Sequence, residues 1–356
     1  MTGDTGHPAI DDFGGLINWD RLNAWLAGQS VPGTGPVTGA RKLTGGLQNN
    51  VFLLQRGGES FVLRRPPKRL RPESNETMRR EARVLRALAG STVPHPHFYA
   101  LCDDESVIGA CFYLMEPLEG FAPNGPLQGS YATDSKWRRA MGEELVKAAA
   151  GLGAIDPKAV GLENLGKPEH WHERQVSRWR SQLEGYREIP NYTGTELPHV
   201  DEVGLWLSDN LPADRRIGII HGDFQFPNVM FSLQTPRISG VIDWELATLG
   251  DPLLDLGWVL SSWWEEGDDG KKPMVQPWDG FLTRAELVRL YGQVSGRNMN
   301  AMPWFFTLAC YKLACLLEGT YARSKAGQVP ADVGTQVHAY AVWLMTKATQ
   351  IIASHR

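Results

Sequence analysis

Cysteine is scarce. Only four occur in 356 residues, at positions 102, 111, 310 and 315. None is spaced CxxC and no histidine pair stands beside them, which argues against a disulfide scaffold or a zinc site of ordinary spacing. Buried thiols of a cytoplasmic protein are the expectation. An excess of one charge is lacking too: 36 Lys and Arg face 40 Asp and Glu, a formal net charge of −4. Nucleic-acid backbone binding needs a concentrated basic face. Only Arg64, Arg65, Lys68, Arg69 and Arg71 cluster, so no nucleic-acid partner is expected. Long apolar runs are missing. The best candidate, residues 301–317, carries Lys312 and falls short of the roughly 20 residues a membrane span requires, so no membrane insertion is expected. The opening MTGDTGHPAIDD has no basic stretch followed by an apolar one, and no leader is read there. No internal repeat is found. What remains is ordinary: 42% hydrophobic, 10% aromatic and 21% charged residues, a globular composition at a length that suggests about two domains.

The chain changes character along its length. A short apolar stretch, Leu16 to Leu26, reads as a helix, and SVPGTGPVTG at 30–39 reads as a linker. VFLLQ and SFVLR are β-prone runs on either side of Gly57-Gly58, a hairpin signal. ESNETMRREARVLRALAG places Met78, Ala82, Leu85 and Leu88 at helical spacing. HFYALCDD and SVIGACFYLMEPL predict a second strand pair, and 120–135 a connector. Beyond it, helices are predicted over Trp137–Leu152 and roughly 171–186, 200–210, 284–296, 303–324 and 334–353. Two strand-like pieces interrupt them, RRIGIIHGDFQFPNVMF and PRISGVIDWELATLGDP.

Those two pieces carry the candidate chemistry. Asp223 follows a buried-strand signal in IIHGD, Asn228 lies five residues on, and Asp243 ends the strand-like ISGVID. An Asp that accepts a hydroxyl proton, with an Asn and a second Asp to hold Mg²⁺, is a minimum set for phosphoryl transfer. A lone HGD is a common turn with a capping Asp; the ordered set is far more specific. In the first part of the chain, Gly45 and Gly46 before a strand permit close backbone approach to phosphates. Arg64 ends the next strand, and Glu81 in the following helix is placed to hold it toward them. A hairpin glycine pair and a solvated ion pair are the plainer readings. The acidic run Glu265, Glu266, Asp268 and Asp269 reads as a solvated loop or as a collar for a cationic acceptor. The basic cluster suits an anion better, and aromatics such as Trp258, Trp263 and Trp304 fit a helical core.

HGDFQFPNVMF together with VIDWELATLGDPLLDLG resembles the signature of the aminoglycoside phosphotransferase and choline kinase-like family. KLTGGLQNNVFLL, FVLRRPP, REARVLRAL and FYLMEPLEG resemble the branch found fused to some acyl-CoA dehydrogenases. The resemblance implies an α+β, two-lobed protein-kinase-like fold, with a small antiparallel β-sheet lobe over 1–117 and a larger, mostly helical lobe over 118–356. It implies ATP and Mg²⁺ as cofactors and a small-molecule hydroxyl as acceptor, on an amino sugar, amino alcohol or hydroxyacyl compound. No obligate protein partner is implied. By position, Asp223 matches the catalytic base, Asn228 and Asp243 the metal ligands, and Glu81 the residue that orients the phosphate-binding cation. Gly45, Gly46 and Asn49 match the nucleotide-covering loop. Met115, Glu116 and Leu118 match the adenine hinge, while Asp251 and Asp255 match aspartates with a structural role. The chain departs from many relatives in having Arg64 where they have Lys. A silent nucleotide-binding or scaffold protein and a metal-dependent phosphoesterase are the competing readings.

Overall fold

The computed structural model describes residues 11–43, 49–268 and 270–355. The chain divides into two units, one comprising residues up to Gly120 together with Ser239–Glu245, the other Phe121–Ile238 and Leu246 onward. Asp243, which chain order alone assigns to the helical lobe, thus groups with the first unit.

The first unit contains α1 (Trp19–Leu26), β1 (Val37–Leu43), β2 (Asn50–Arg56), β3 (Glu59–Arg65), α2 (Ser74–Ala87), β4 (Phe98–Cys102) and β5 (Phe112–Met115). The strands form one antiparallel sheet in the order β1-β2-β3-β5-β4. Alternating residues Phe52 and Leu54 on β2, and Phe61 and Leu63 on β3, enter one core with Phe112, Leu114 and the α1 residues Leu22 and Leu26. A strand's period of two residues produces this division of faces. Asn18 caps α1, its side chain accepting from the Arg21 amide at 3.1 Å. On α2, Met78, Ala82 and Leu85 are buried, as their helical spacing predicted. Both strand pairs expected from the sequence are present. The linker assigned to 30–39 is corrected at its end: β1 begins at Val37, which is buried and pairs with Arg56. Its ladder to β2, more than local propensity, makes Gly39 and its neighbours a strand.

The second unit contains β6 (Gly125–Pro126), α3 (Ser130–Thr133), α4 (Ser135–Gly153), α5 (Arg174–Gly185), α6 (Val200–Asp209), β7 (Gly218–Ile220) and β8 (Val229–Phe231). After β9 (Ile238–Val241), whose last three residues group with the first unit, come β10 (Thr248–Gly250), α7 (Leu253–Ser262), β11 (Val275–Gln276), α8 (Arg284–Ser295), α9 (Met302–Lys325) and α10 (Ala331–Ala353). The six expected helices appear within a few residues of their predicted ends. Helix α7 was not anticipated. Nine of its ten residues are buried, so LLDLGWVLSS lacks the polar face that makes a surface helix legible. Gly257 lets α7 approach α9 closely, since a Cβ there would stand 2.6 Å from the Phe305 carbonyl oxygen. No helix among the described residues is long and apolar enough to cross a membrane.

Candidate functional site

In the first unit, β3 delivers Arg64 and α2 delivers Glu81 to a buried ion pair. Arg64 Nε lies 2.9 Å from Glu81 Oε2, and Nη2 donates to Glu81 Oε1 at 3.3 Å. Register pairs Arg64 with Tyr113 on β5, whose hydroxyl donates to Glu81 Oε2 at 2.8 Å. Arg64 Nη2 also donates to Asp243 Oδ1 at 2.6 Å. Burial opposes the guanidinium's charge, but Glu81, Tyr113 and Asp243 together raise its pKa, so Arg64 stays cationic. Burial pushes the Glu81 carboxyl up while Arg64 and Tyr113 pull it down. The Glu81 side chain is 0% exposed and that of Asp243 is 36% exposed; only the second can offer an oxygen to a ligand.

Asp243 has φ +65°, a left-handed conformation uncommon for aspartate that costs on the order of 1–3 kcal/mol. The segment around it is fixed by the Val241 amide donating to Pro94 O at 2.8 Å and by the Trp244 indole donating to Val241 O at 3.0 Å. Asn49 Nδ2 donates to Glu245 Oε2 at 3.2 Å. Gly45 and Gly46 lie outside the described residues. At the expected hinge, Met115 ends β5 and Leu118 is half-buried. The Glu116 amide donates to His97 O at 2.8 Å, while the Glu116 carboxylate accepts from the His97 amide at 3.1 Å. Any contribution of Glu116 to adenine pairing therefore falls to its carbonyl.

In the second unit, β7 ends at Ile220 and a tight loop carries His221, Gly222 and Asp223. Gly222 has φ +85°, and a Cβ there would lie 2.6 Å from Leu246 O, so the turn demands glycine. Asp255, at the start of α7, clamps this loop by accepting from the His221 and Gly222 amides at 2.7 and 3.0 Å. Three donors then hold Asp223. Gln225 Nε2 and the Trp258 indole reach Oδ1 at 2.6 and 2.7 Å, and Asn228 Nδ2 reaches Oδ2 at 2.6 Å. A carboxylate has about four lone-pair directions. With three taken, one is left for an incoming hydroxyl. Burial raises the Asp223 pKa, against the opposing pull of His221, Trp258, Asn228 and Lys312, which strengthens it as a base.

Lys312, on α9, donates to Gly222 O at 2.9 Å and stands 4.4 Å from the Trp258 ring centre. Burial lowers its pKa to about 8, despite Asp255 and Asp223 nearby. Neither Trp258 nor Lys312 was assigned to Asp223 from the sequence; a lysine interrupting an apolar helix was the available signal. Asp251 is buried and paired with Arg297, while His172 lies 3.1 Å from its other oxygen. The acidic run does not form a free collar: Asp268 pairs with Arg284 and Lys347, and Glu265 with Arg284. Asp269 lies outside the described residues. The four cysteines are free and buried.

Residues 39–293, most of the chain, match the phosphotransferase enzyme family. The chain belongs to that family. It is similar to a crystal structure of a candidate aminoglycoside phosphotransferase from Ralstonia eutropha, 29% identical, with a TM-score of 0.78 over 94% of this chain and 99% of the other. A macrolide 2'-phosphotransferase from Brachybacterium faecium, at 19% identity, shares the fold, with a TM-score of 0.59 over 90% of this chain and 98% of the other. These likenesses bear out the two-lobed α+β, protein-kinase-like fold that the motifs implied. Among curated proteins, acyl-CoA dehydrogenase family member 11 of Rattus norvegicus is 32% identical over 324 residues, 86% of this chain but 39% of its own length. The chain spans about two fifths of that relative.

Proposed function

We propose that this phosphotransferase moves the γ-phosphate of ATP, with Mg²⁺, to a hydroxyl of a small molecule. The observation that carries the reading is Asp223: a carboxylate fixed by three donors, with one acceptor direction left, on a loop clamped by Asp255. Asp223 takes the acceptor's proton. Arg64 meets the ATP phosphates and Glu81 positions it. Gly45, Gly46 and Asn49 cover the nucleotide, and Met115, Glu116 and Leu118 form the adenine hinge. In this reading the nucleotide lobe runs to about residue 117 and the acceptor is chosen by the helices beyond.

The donor set fits magnesium. Among the described residues no group of three His, Cys, Asp or Glu side chains gathers to hold a metal, and Mg²⁺ ordinarily relies on one or two carboxylates, with phosphates and water completing its shell. Asn228 donates through Nδ2 to Asp223, which leaves its Oδ1 as a hard oxygen, and the Asp243 carboxylate is a second hard donor. Bound Mg²⁺ would neutralise charge on the transferring phosphoryl group. A cytoplasmic setting is supported by the four free, buried thiols.

A coupled ADP-release screen across amino sugars, amino alcohols, nucleosides and hydroxyacyl thioesters tests the proposal. Activity should fall by roughly 10²–10⁴ in Asp223→Asn with little change in ATP affinity. No calorimetric ATP binding by the folded protein at any magnesium concentration would end it. One observation favours a silent nucleotide-binding protein: Arg64 bonds Asp243 at 2.6 Å, and the metal must share that carboxylate. That alternative predicts ATP binding without ADP release for every acceptor.

A further inference from the structure

Within the second unit, a cleft of about 400 Å³ is lined by Lys167, Arg174 and Arg178 and by the hydroxyls of Ser177, Ser181 and Thr248. No carboxylate lines it. Arg174 and Arg178 lie one helical turn apart on α5, a like-charge spacing that destabilises a helix. Other arginines nearby are matched: Arg180 with Asp201, Arg187 with Glu184, Arg215 with Glu173. Among the described residues, the Arg178 guanidinium meets only the Trp179 ring, 5.0 Å away, and the Lys167 ammonium meets no acceptor. Arg174 is held in place by the His170 and Lys167 carbonyls. Three cations line the cleft without a counter-ion; of its hydroxyls, Ser177 already donates to Arg174 O at 3.2 Å and Thr248 to Leu165 O at 3.5 Å, which leaves Ser181 to donate.

The cleft adjoins the catalytic loop of its own unit. Thr248 pairs with Ile220, three residues before Asp223. Trp179, next to Arg178, has its ring 5.6 Å from Lys312 Nζ, which holds Gly222 O. The acids that would suit a cationic acceptor, Glu265 and Asp268, are already paired, Glu265 with Arg284 and Asp268 with Arg284 and Lys347. We propose that this cleft binds a phosphate-bearing, anionic portion of the acceptor whose hydroxyl is presented to Asp223. This rests on the phosphotransferase reading above. Guanidinium forks, an ammonium and the Ser181 hydroxyl suit a phosphate's several oxygens better than a single carboxylate, and the volume accommodates more than one phosphate.

The first test is calorimetric titration with inorganic pyrophosphate while a saturating non-hydrolysable ATP analogue fills the nucleotide site. The parent protein should bind one pyrophosphate, and the double variant K167Q/R178Q should bind about tenfold or more weakly, since two charge-assisted contacts are lost. Its unfolding midpoint should hold or rise, because repulsion has been relieved. No binding by the parent, undiminished binding by the variant, or a clear drop in midpoint each overturns the site. The second test compares ADP release with alcohols that differ only in a phosphate group. KM for the phosphorylated alcohol should rise about tenfold in the variant with kcat nearly kept, while KM for the neutral one stays unchanged. If a cationic alcohol is the preferred acceptor and its KM ignores the variant, the acceptor assignment falls and the phosphotransferase reading stands. If pyrophosphate binding behaves as expected but no alcohol releases ADP, the phosphotransferase reading fails and takes the acceptor role with it.

Discussion

Trp258→Phe isolates one hydrogen bond at the proposed base. Phenylalanine keeps an aromatic ring beneath Lys312, which sits 4.4 Å from the indole centre, and removes the N–H that reaches Asp223 Oδ1 at 2.7 Å. A hydrogen bond to a charged group contributes about 1.5–3 kcal/mol, and water entering the vacated position recovers part of it. A residue of about 1.4 kcal/mol corresponds to one pKa unit. The lost donor stabilised the ionised form, so the change is upward: Asp223, already raised by burial, should titrate about one unit higher in the variant. The readout is the ¹³C carboxyl titration of aspartate-labelled protein, with the Asp223 signal assigned by its absence in Asp223→Asn. The acid limb of ADP release should move by the same amount and in the same direction, with ATP affinity unchanged. A titration that stays put, or moves down, refutes the idea that the indole tunes this carboxylate.

Asp223→Asn should raise the unfolding midpoint near pH 7.5, by roughly 2 °C for each kcal/mol recovered. A carboxyl whose folded pKa is raised adds stability only below its ordinary range and loses it as pH rises through the folded value; calorimetry should show the gain vanishing in acid. Arg64→Ala should cost about 3–5 kcal/mol by stranding buried Glu81, and the Arg64→Ala, Glu81→Ala double variant should cost less than the sum in urea unfolding. Lys312 is depressed to about 8, so its contribution to stability is present above about 10.5 and lost as pH falls through 8. Lys312→Met should accordingly remove a rise in urea midpoint between pH 8 and 10. Hydrogen bonds and ion pairs hold the Asp251 carboxyl below its usual range despite burial. Asp251→Asn should destabilise by about 3–5 kcal/mol at pH 7, a deficit that shrinks as acid protonates the parent's Asp251.

Much of the first unit was legible because its elements announce themselves locally. Gly57-Gly58 sits between two alternating runs, and Met78, Ala82 and Leu85 mark one helix face. Helix α7 was hidden because burial on all sides erases periodicity. Strand β1 was hidden because its partner, not its own sequence, makes it extended. At the site, the spacing of Asp223 and Asn228 marked a loop whose side chains do meet, at 2.6 Å. The pairing of Arg64 with Glu81 was also legible, as a strand end followed by a helix. The bond from Arg64 to Asp243 spans 179 residues, and no local pattern reports a contact of that separation. Trp258 and Lys312 reach Asp223's loop from two later helices, for the same reason.

The grouping of Ser239–Glu245 with residues up to Gly120 has a consequence for vectorial synthesis. A ribosome has delivered α1, α2 and all five strands of the first sheet long before it reaches residue 245. Until then Arg64 has Glu81 but not Asp243, and Pro94 O lacks the Val241 amide. The first unit therefore cannot reach its final set of contacts as an autonomous N-terminal piece, although domains commonly fold in order of emergence. A fragment ending at Gly120 should collapse and form its sheet yet exchange its amides near Pro94 faster than the whole chain. Adding a peptide spanning 239–245 should slow that exchange. In a nascent chain, the last stretch to join the unit is also the one that carries Asp243, the partly exposed partner of Arg64.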